Sequence, residues 1–248
     1  MKVRVNDIKL KHLDQLTCDK IDYKYLMEDI MQFKSTWWNI NIMFKTRFQQ
    51  LYRIIKAIEK IDISTLSATS NCKITFDKDV DKLTYQKRIE IEQLRASDVD
   101  ISTMICKVIG ITCFDKVHSA KFDSGSPLFE KWCNHIQNQP LVEMIGLYND
   151  IIKAIDKSNL LWAKLFSQVA IIDNDYEQAN GHTFMARFDL LNIIKKTIDD
   201  FNVTYEQAFV MEYRIIRSNA LLSASQQYVG QQMADIKQKR MEAKRLRK

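Results

Sequence analysis

Apolar positions recur at helical spacing along most of the chain. From Trp37 through Ile40, Phe44, Phe48, Leu51, Ile55 and Ile58 the steps are three, four, four, three, four and three residues, which places them on one side of an α-helix. Ser35 or Thr36 stands where a side-chain oxygen accepts from an orphan backbone N–H. The pattern therefore predicts a helix from there to about residue 60, with a shorter one over 24–33 before it. Ahead of these, Val3, Arg4 and Val5 read as a short strand, and Leu10, Leu13 and Leu16 as the spaced apolar positions of an arm or edge element.

Residues 61–70 form a polar, Ser/Thr-rich break. The alternation over 72–76 predicts one strand and the apolar run 111–114 a second; paired, they would make 70–117 a small α+β insert around two helices. The first of those helices enters at Thr84 and runs to about Ala96, and the second begins at Ser97 or Asp98 and ends at Gly110. The most loop-like stretch is 118–126, after which Pro127 sits at the first turn of a helix capped by Ser126. Helices are predicted over about 127–138 and 140–166, then, past a second polar break at 172–181, over 183–201.

Thr204 opens the last helix, in which Gly230 is the one breaker before the terminus. Roughly 40 residues at 1.5 Å each give about 60 Å, more than a compact domain of this size needs. Its first half is dense in apolar residues, whereas beyond Ser223 only Tyr228, Val229, Met233 and Ile236 remain among Gln, Ser and Ala. A stripe that thin, continuing from Leu222, supports no core of its own. The distal half is expected to project into solvent or to pack against something outside the chain.

The expected fold is mainly α: a multi-helix bundle with a small two-stranded β element and a long C-terminal helix. Its divisions are an N-terminal arm and helices over 1–66, a small α+β segment over 67–122, a helical core over 123–222 and a projecting helix with a basic tip over 223–248. Composition agrees, since 46% of the 248 residues are hydrophobic and only five Gly and two Pro are present, too few for the tight turns of a small β-sandwich. The five cysteines (Cys18, Cys72, Cys106, Cys113, Cys133) are odd in number and scattered, and the N-terminus is charged where a signal peptide needs an apolar run. Both point to a reducing compartment. The best apolar run, 37–44, is far shorter than a membrane span, so no membrane partner is expected.

Charge sharpens the picture of the tip. The net charge is +6, and from Asp235 onward Lys237, Lys239, Arg240, Lys244, Arg245, Arg247 and Lys248 face only Asp235 and Glu242, a local +5. The body is close to neutral. By charge alone such a tip suits a phosphate backbone, an anionic membrane surface or an acidic protein surface; with no aromatic platforms interleaved, any nucleic-acid contact would be non-specific.

No catalytic chemistry is legible. Nucleophile elbow, P-loop, dinucleotide fingerprint and kinase signatures are all absent, so no enzyme activity and no cofactor are expected. Cys133 and His135, with Cys106, Cys113 and His118 upstream, lack the spacing of a structural zinc site, and no metal is expected. Trp37 and Trp38 point about 100° apart on a helix, so one of them meets a second surface, either a neighbouring helix or a partner subunit. The echoes of 51–60 at 147–157 and of 83–94 at 203–215 fit chance better than duplication in a chain rich in Lys, Ile, Asp and Glu.

Residues 82–110 (KLTYQKRIEIEQLRASDVDISTMICKVIG) and 189–220 (DLLNIIKKTIDDFNVTYEQAFVMEYRIIRSNA) resemble small helical proteins of tailed-bacteriophage morphogenesis modules: tail-assembly chaperones and the ring or neck proteins of virions. The Lys/Ile/Asn/Asp-rich usage is similar to that of crAss-like short-tailed phages. The resemblance implies a non-enzymatic virion structural protein of a tail or neck, assembled in the host cytoplasm as a homo-oligomeric ring with other virion proteins; a tail-assembly chaperone is the alternative. On this reading Trp37, Trp38, Leu222, Val229, Met233 and Ile236 meet partners.

Overall fold

The computed structural model describes residues 8–17, 53, 66–67, 72–170 and 189–245, and over these the protein is mainly helical with no sheet. The predicted strand at 3–5, the helices over 24–33 and 36–60, Trp37 and Trp38, the break at 172–181, and Arg247 and Lys248 lie outside the described residues. The chain divides into two compact units, Met1–Lys78 with Ile89–Ala154, and Asp79–Arg88 with Ile155–Lys248. The helices are α1 Leu13–Thr17, α2 Tyr85–Ala96, α3 Ile101–Val117, α4 Pro127–Gln137, α5 Leu141–Ser167, α6 Asp189–Phe201, α7 Tyr205–Phe209 and α8 Tyr213–Arg245.

In the first unit α3 is the central element, with ten of its residues buried, Ile105, Cys106 and the run Val108–Phe114 among them. That burial corrects the expected strand at 111–114. A short apolar run reads equally as a strand or as a helix enclosed on all sides, and here the helix runs through Gly110 to Val117. It also begins later than expected, at Ile101 rather than at Ser97 or Asp98. The other expected strand, 72–76, is irregular backbone.

Gly110 serves close approach rather than termination. A Cβ there would lie 3.2 Å from Phe129 Cε2 of α4, and the indole N–H of Trp132 donates to the Gly110 carbonyl at 3.3 Å. Helix α4 starts as its sequence dictates. Ser126 Oγ accepts from Phe129 N–H at 3.2 Å, with Pro127 at the first turn, and Phe129, Trp132 and Ile136 form its buried face.

The segment from Ile8 to Leu13, expected as an arm, is core. Ile8, Leu10 and Leu13 are buried, Leu141 N–H donates to the Ile8 carbonyl at 2.8 Å, and Leu10 N–H donates to Gln139 O at 3.1 Å. Asp14 of α1 caps α3 from outside: its carboxylate accepts from Ser102 N–H at 3.0 Å and bonds the Ser102 hydroxyl, while Asp100, at the cap position itself, makes no side-chain capping bond.

In the second unit Thr84 accepts from Lys87 N–H at 3.4 Å and starts α2. Helix α6 ends at Asn202, whose φ of 49° is the left-handed conformation that Asn tolerates. Thr204 and Gln207 then form a reciprocal capping box. The expected unbroken helix from Thr204 is interrupted at 210–212. There Tyr85 N–H donates to Met211 O and Tyr213 N–H donates to Leu83 O, both at 2.8 Å, around a single antiparallel bridge between Thr84 and Glu212. Backbone groups used in that pairing are not free to continue a helical ladder. Helix α8 restarts at Tyr213 and runs 33 residues, about 50 Å.

Candidate functional site

The root of α8 is a cluster of cations on aromatic rings in the second unit. Arg88 is 1% exposed; its Nη2 donates to Asn159 Oδ1 at 2.6 Å, and its guanidinium carbon lies 4.4 Å from the centroid of Tyr213. Its Nε and Nη1 have no hydrogen-bond partner among the described residues. Tyr85 stacks on Tyr213 at 6.0 Å and meets Phe209 edge-on. One turn along α8, Arg217 stands over Phe166 at 4.6 Å and within 6 Å of Trp162 and Tyr213. Asn219 donates to Asp200 at 2.7 Å, tying α8 to α6. The helix is therefore held by its first two turns, which fixes the direction of everything beyond.

The remainder of α8 leaves the packed region. From Gln231 to Arg245 every side chain described is exposed. Leu222, Val229, Met233 and Ile236 are 57%, 54%, 54% and 49% exposed, values that leave the stripe uncovered. The stripe also has a register. Ile215, Leu222, Val229 and Ile236 fall seven residues apart, with Asn219, Gln226, Met233 and Arg240 each four residues after one of them. A seven-residue apolar repeat marks a left-handed coiled-coil seam, and isolated polar residues within it set register and partner number. The unbroken helix Tyr213–Arg245 carries all four positions of this register.

At the tip, Lys237, Lys239, Arg240 and Arg245 are exposed. Lys244 lies on the same helix, and Gln238 donates to Glu242 at 3.0 Å. Among the described residues no hydrogen bond or ion pair joins the tip to the Arg88 cluster.

The first unit holds a shallow cleft of about 500 Å³ lined by Glu90, Gln93, Leu94, Ser97, Lys107, Ile111, Ser124 and Phe129. Among the described residues no three His, Cys, Asp or Glu side chains converge as a metal ligand set, and no helix is long and apolar enough to cross a membrane. The buried arginine and its tyrosine were not legible as a pair, since 125 residues of sequence separate them.

Compared with protein-family models, curated proteins and solved structures, the chain matches none.

Proposed function

We propose that this protein is a non-enzymatic assembly subunit that associates with further copies of itself through the seam of α8. The observation that carries the reading is the seven-residue line Ile215, Leu222, Val229 and Ile236 on a helix rooted at one end and bare at the other. A second copy is the occupant the seam suits, because a heptad line is self-complementary, and Asn or Gln within it selects a register. Lysines flank the seam only from Lys237 onward, past the last large apolar layer, so like-charge repulsion falls on the tip and not on the seam. The tip is left free for an acidic neighbour.

In its specific form the proposal is a virion structural subunit of a phage tail or neck, assembled as a ring, as the resemblance of 82–110 and 189–220 implies. Mass photometry of the purified protein, alone and beside the products of neighbouring genes, tests it. Oligomers of the wild type that revert to monomer on Val229→Asp support the reading. A strict monomer, also missing from mass spectra of purified virions, overturns it and favours a tail-assembly chaperone.

The exposed cations of the tip favour a second reading, non-specific binding of nucleic acid. That reading requires an affinity for duplex DNA falling steeply with salt, with a log–log slope growing by about 0.9 per phosphate neutralised.

A further inference from the structure

Helices α3 and α4 bring two cysteines together that nothing in the assembly reading uses. The thiol of Cys106 on α3 reaches the carbonyl oxygen of Cys133 on α4 at 3.1 Å and lies beside the Cys133 sulfur. One turn along α3 from Cys106, Gly110 leaves room for that sulfur, which stands 3.4 Å from where a Cβ at 110 would be. Cys106 is buried and Cys133 half-buried, so Cys133 is the less enclosed of the two.

We propose that Cys106 and Cys133 are a redox site that closes reversibly to a disulfide between α3 and α4, with Cys133 as the attacking thiol and a low-molecular-weight disulfide as the oxidant.

Electrostatics divide the labour between the two. The neighbouring Cys106 side chain holds Cys133 below the usual thiol range, and Lys107 acts in the same direction. The Cys133 thiol beside it, together with burial, pushes Cys106 well above that range. The thiolate therefore forms more readily at Cys133, the less buried residue of the pair, than at Cys106. In the first step Cys133 attacks one sulfur of oxidised glutathione, its S–S bond breaks, and one glutathione thiolate departs. Cys106 then passes its proton to a departing thiolate and attacks the Cys133 sulfur, expelling the second glutathione. Two protein thiols and one disulfide become one protein disulfide and two glutathione thiols. Cys72 competes poorly, since burial pushes its thiol up and its S–H is held by the Ile74 carbonyl at 3.3 Å.

Exposure of the full chain to oxidised glutathione tests the site. The wild type should lose two of its five thiols, carry no glutathione, yield a peptide pair linked through Cys106 and Cys133, and unfold at a higher temperature, because the bond closes a long loop. Cys106→Ser should stop at one glutathione on Cys133, and Cys133→Ser should form no bridge to residue 106. Should Cys106→Ser fail to fold, Cys106→Ala reports the same step, and peptide mapping of the wild type stands alone. A wild type that keeps all five thiols, or holds glutathione stably on Cys133 without bridging, overturns the proposal.

Discussion

The guanidinium of Arg88 lies 4.4 Å from the ring centroid of Tyr213, joining the entry of α2 to the first residue of α8. The contact is buried, and among the described residues the arginine's Nη2 donates to Asn159 while Nε and Nη1 have no acceptor. A buried cation in that state bears a desolvation cost that its single amide partner and one ring face offset only in part. The volume of the side chain contributes more than its charge does.

Arg88→Ala should therefore lower stability by about 3 kcal/mol, chiefly by leaving a cavity against Tyr213 and Asn159. Arg88→Met, which fills the space and keeps a favourable contact with the ring, should stay within about 1 kcal/mol of the wild type. Urea unfolding of both variants checks this. Equal losses would mean that the charge itself is required, as it would be if the site held an anion.

Two helical glycines, Gly110 and Gly230, should respond oppositely to alanine. At Gly110 the new methyl would press on Phe129, itself wedged against Phe114 and Phe122 at 6.0 and 5.5 Å. Overpacking of about 1–3 kcal/mol outweighs the ~1 kcal/mol gained in helix propensity, so Gly110→Ala should lower the unfolding midpoint. At Gly230 nothing lies within 4 Å, and Gly230→Ala should strengthen the helix, read as slower amide exchange around residue 230. A stabilised Gly110→Ala protein would show that α3 and α4 can move apart.

Asp14 is the remote cap of α3. Asp14→Ala removes the acceptor for Ser102 N–H and should cost about 1–2 kcal/mol, as loss of an N-cap does. Asp14→Asn, which keeps an oxygen there, should cost less. Thermal unfolding of the pair distinguishes a cap from a general loss of packing, which would affect both alike.

These cases mark what the sequence could reveal. Thr84, Ser126 with Pro127, and Thr204 bond to residues three positions away, so their caps were legible locally. Asp14 acts 88 residues along the chain, and the break at 210–212 arises from pairing with 83–85; neither leaves a local trace. The run 111–114 misled because helical and extended readings of four residues, three of them apolar, are identical until burial on every side is known. The stripe of Leu222, Val229, Met233 and Ile236 was visible for the opposite reason, since a thin apolar line among Gln, Ser and Ala stands out wherever the helix goes.

Removal of 237–248 separates the tip from the fold. Those described residues make no contact beyond the Gln238–Glu242 pair, and the seam ends at Ile236, so the truncated chain should keep its unfolding midpoint and its oligomeric state. Its formal net charge falls from +6 to zero, because the segment carries seven basic residues and Glu242. Association with an acidic partner should therefore weaken, and the salt dependence of whatever binding remains should flatten, as expected when exposed charges supply the attraction. Differential scanning calorimetry, mass photometry and partner binding at two ionic strengths measure the three properties separately. A midpoint lowered by more than about 8 °C, roughly 2 kcal/mol in a chain of this size, would show that the tip is part of the folded body. Loss of oligomers with the midpoint unchanged would move the self-association surface from the Leu222–Ile236 seam to the basic tip.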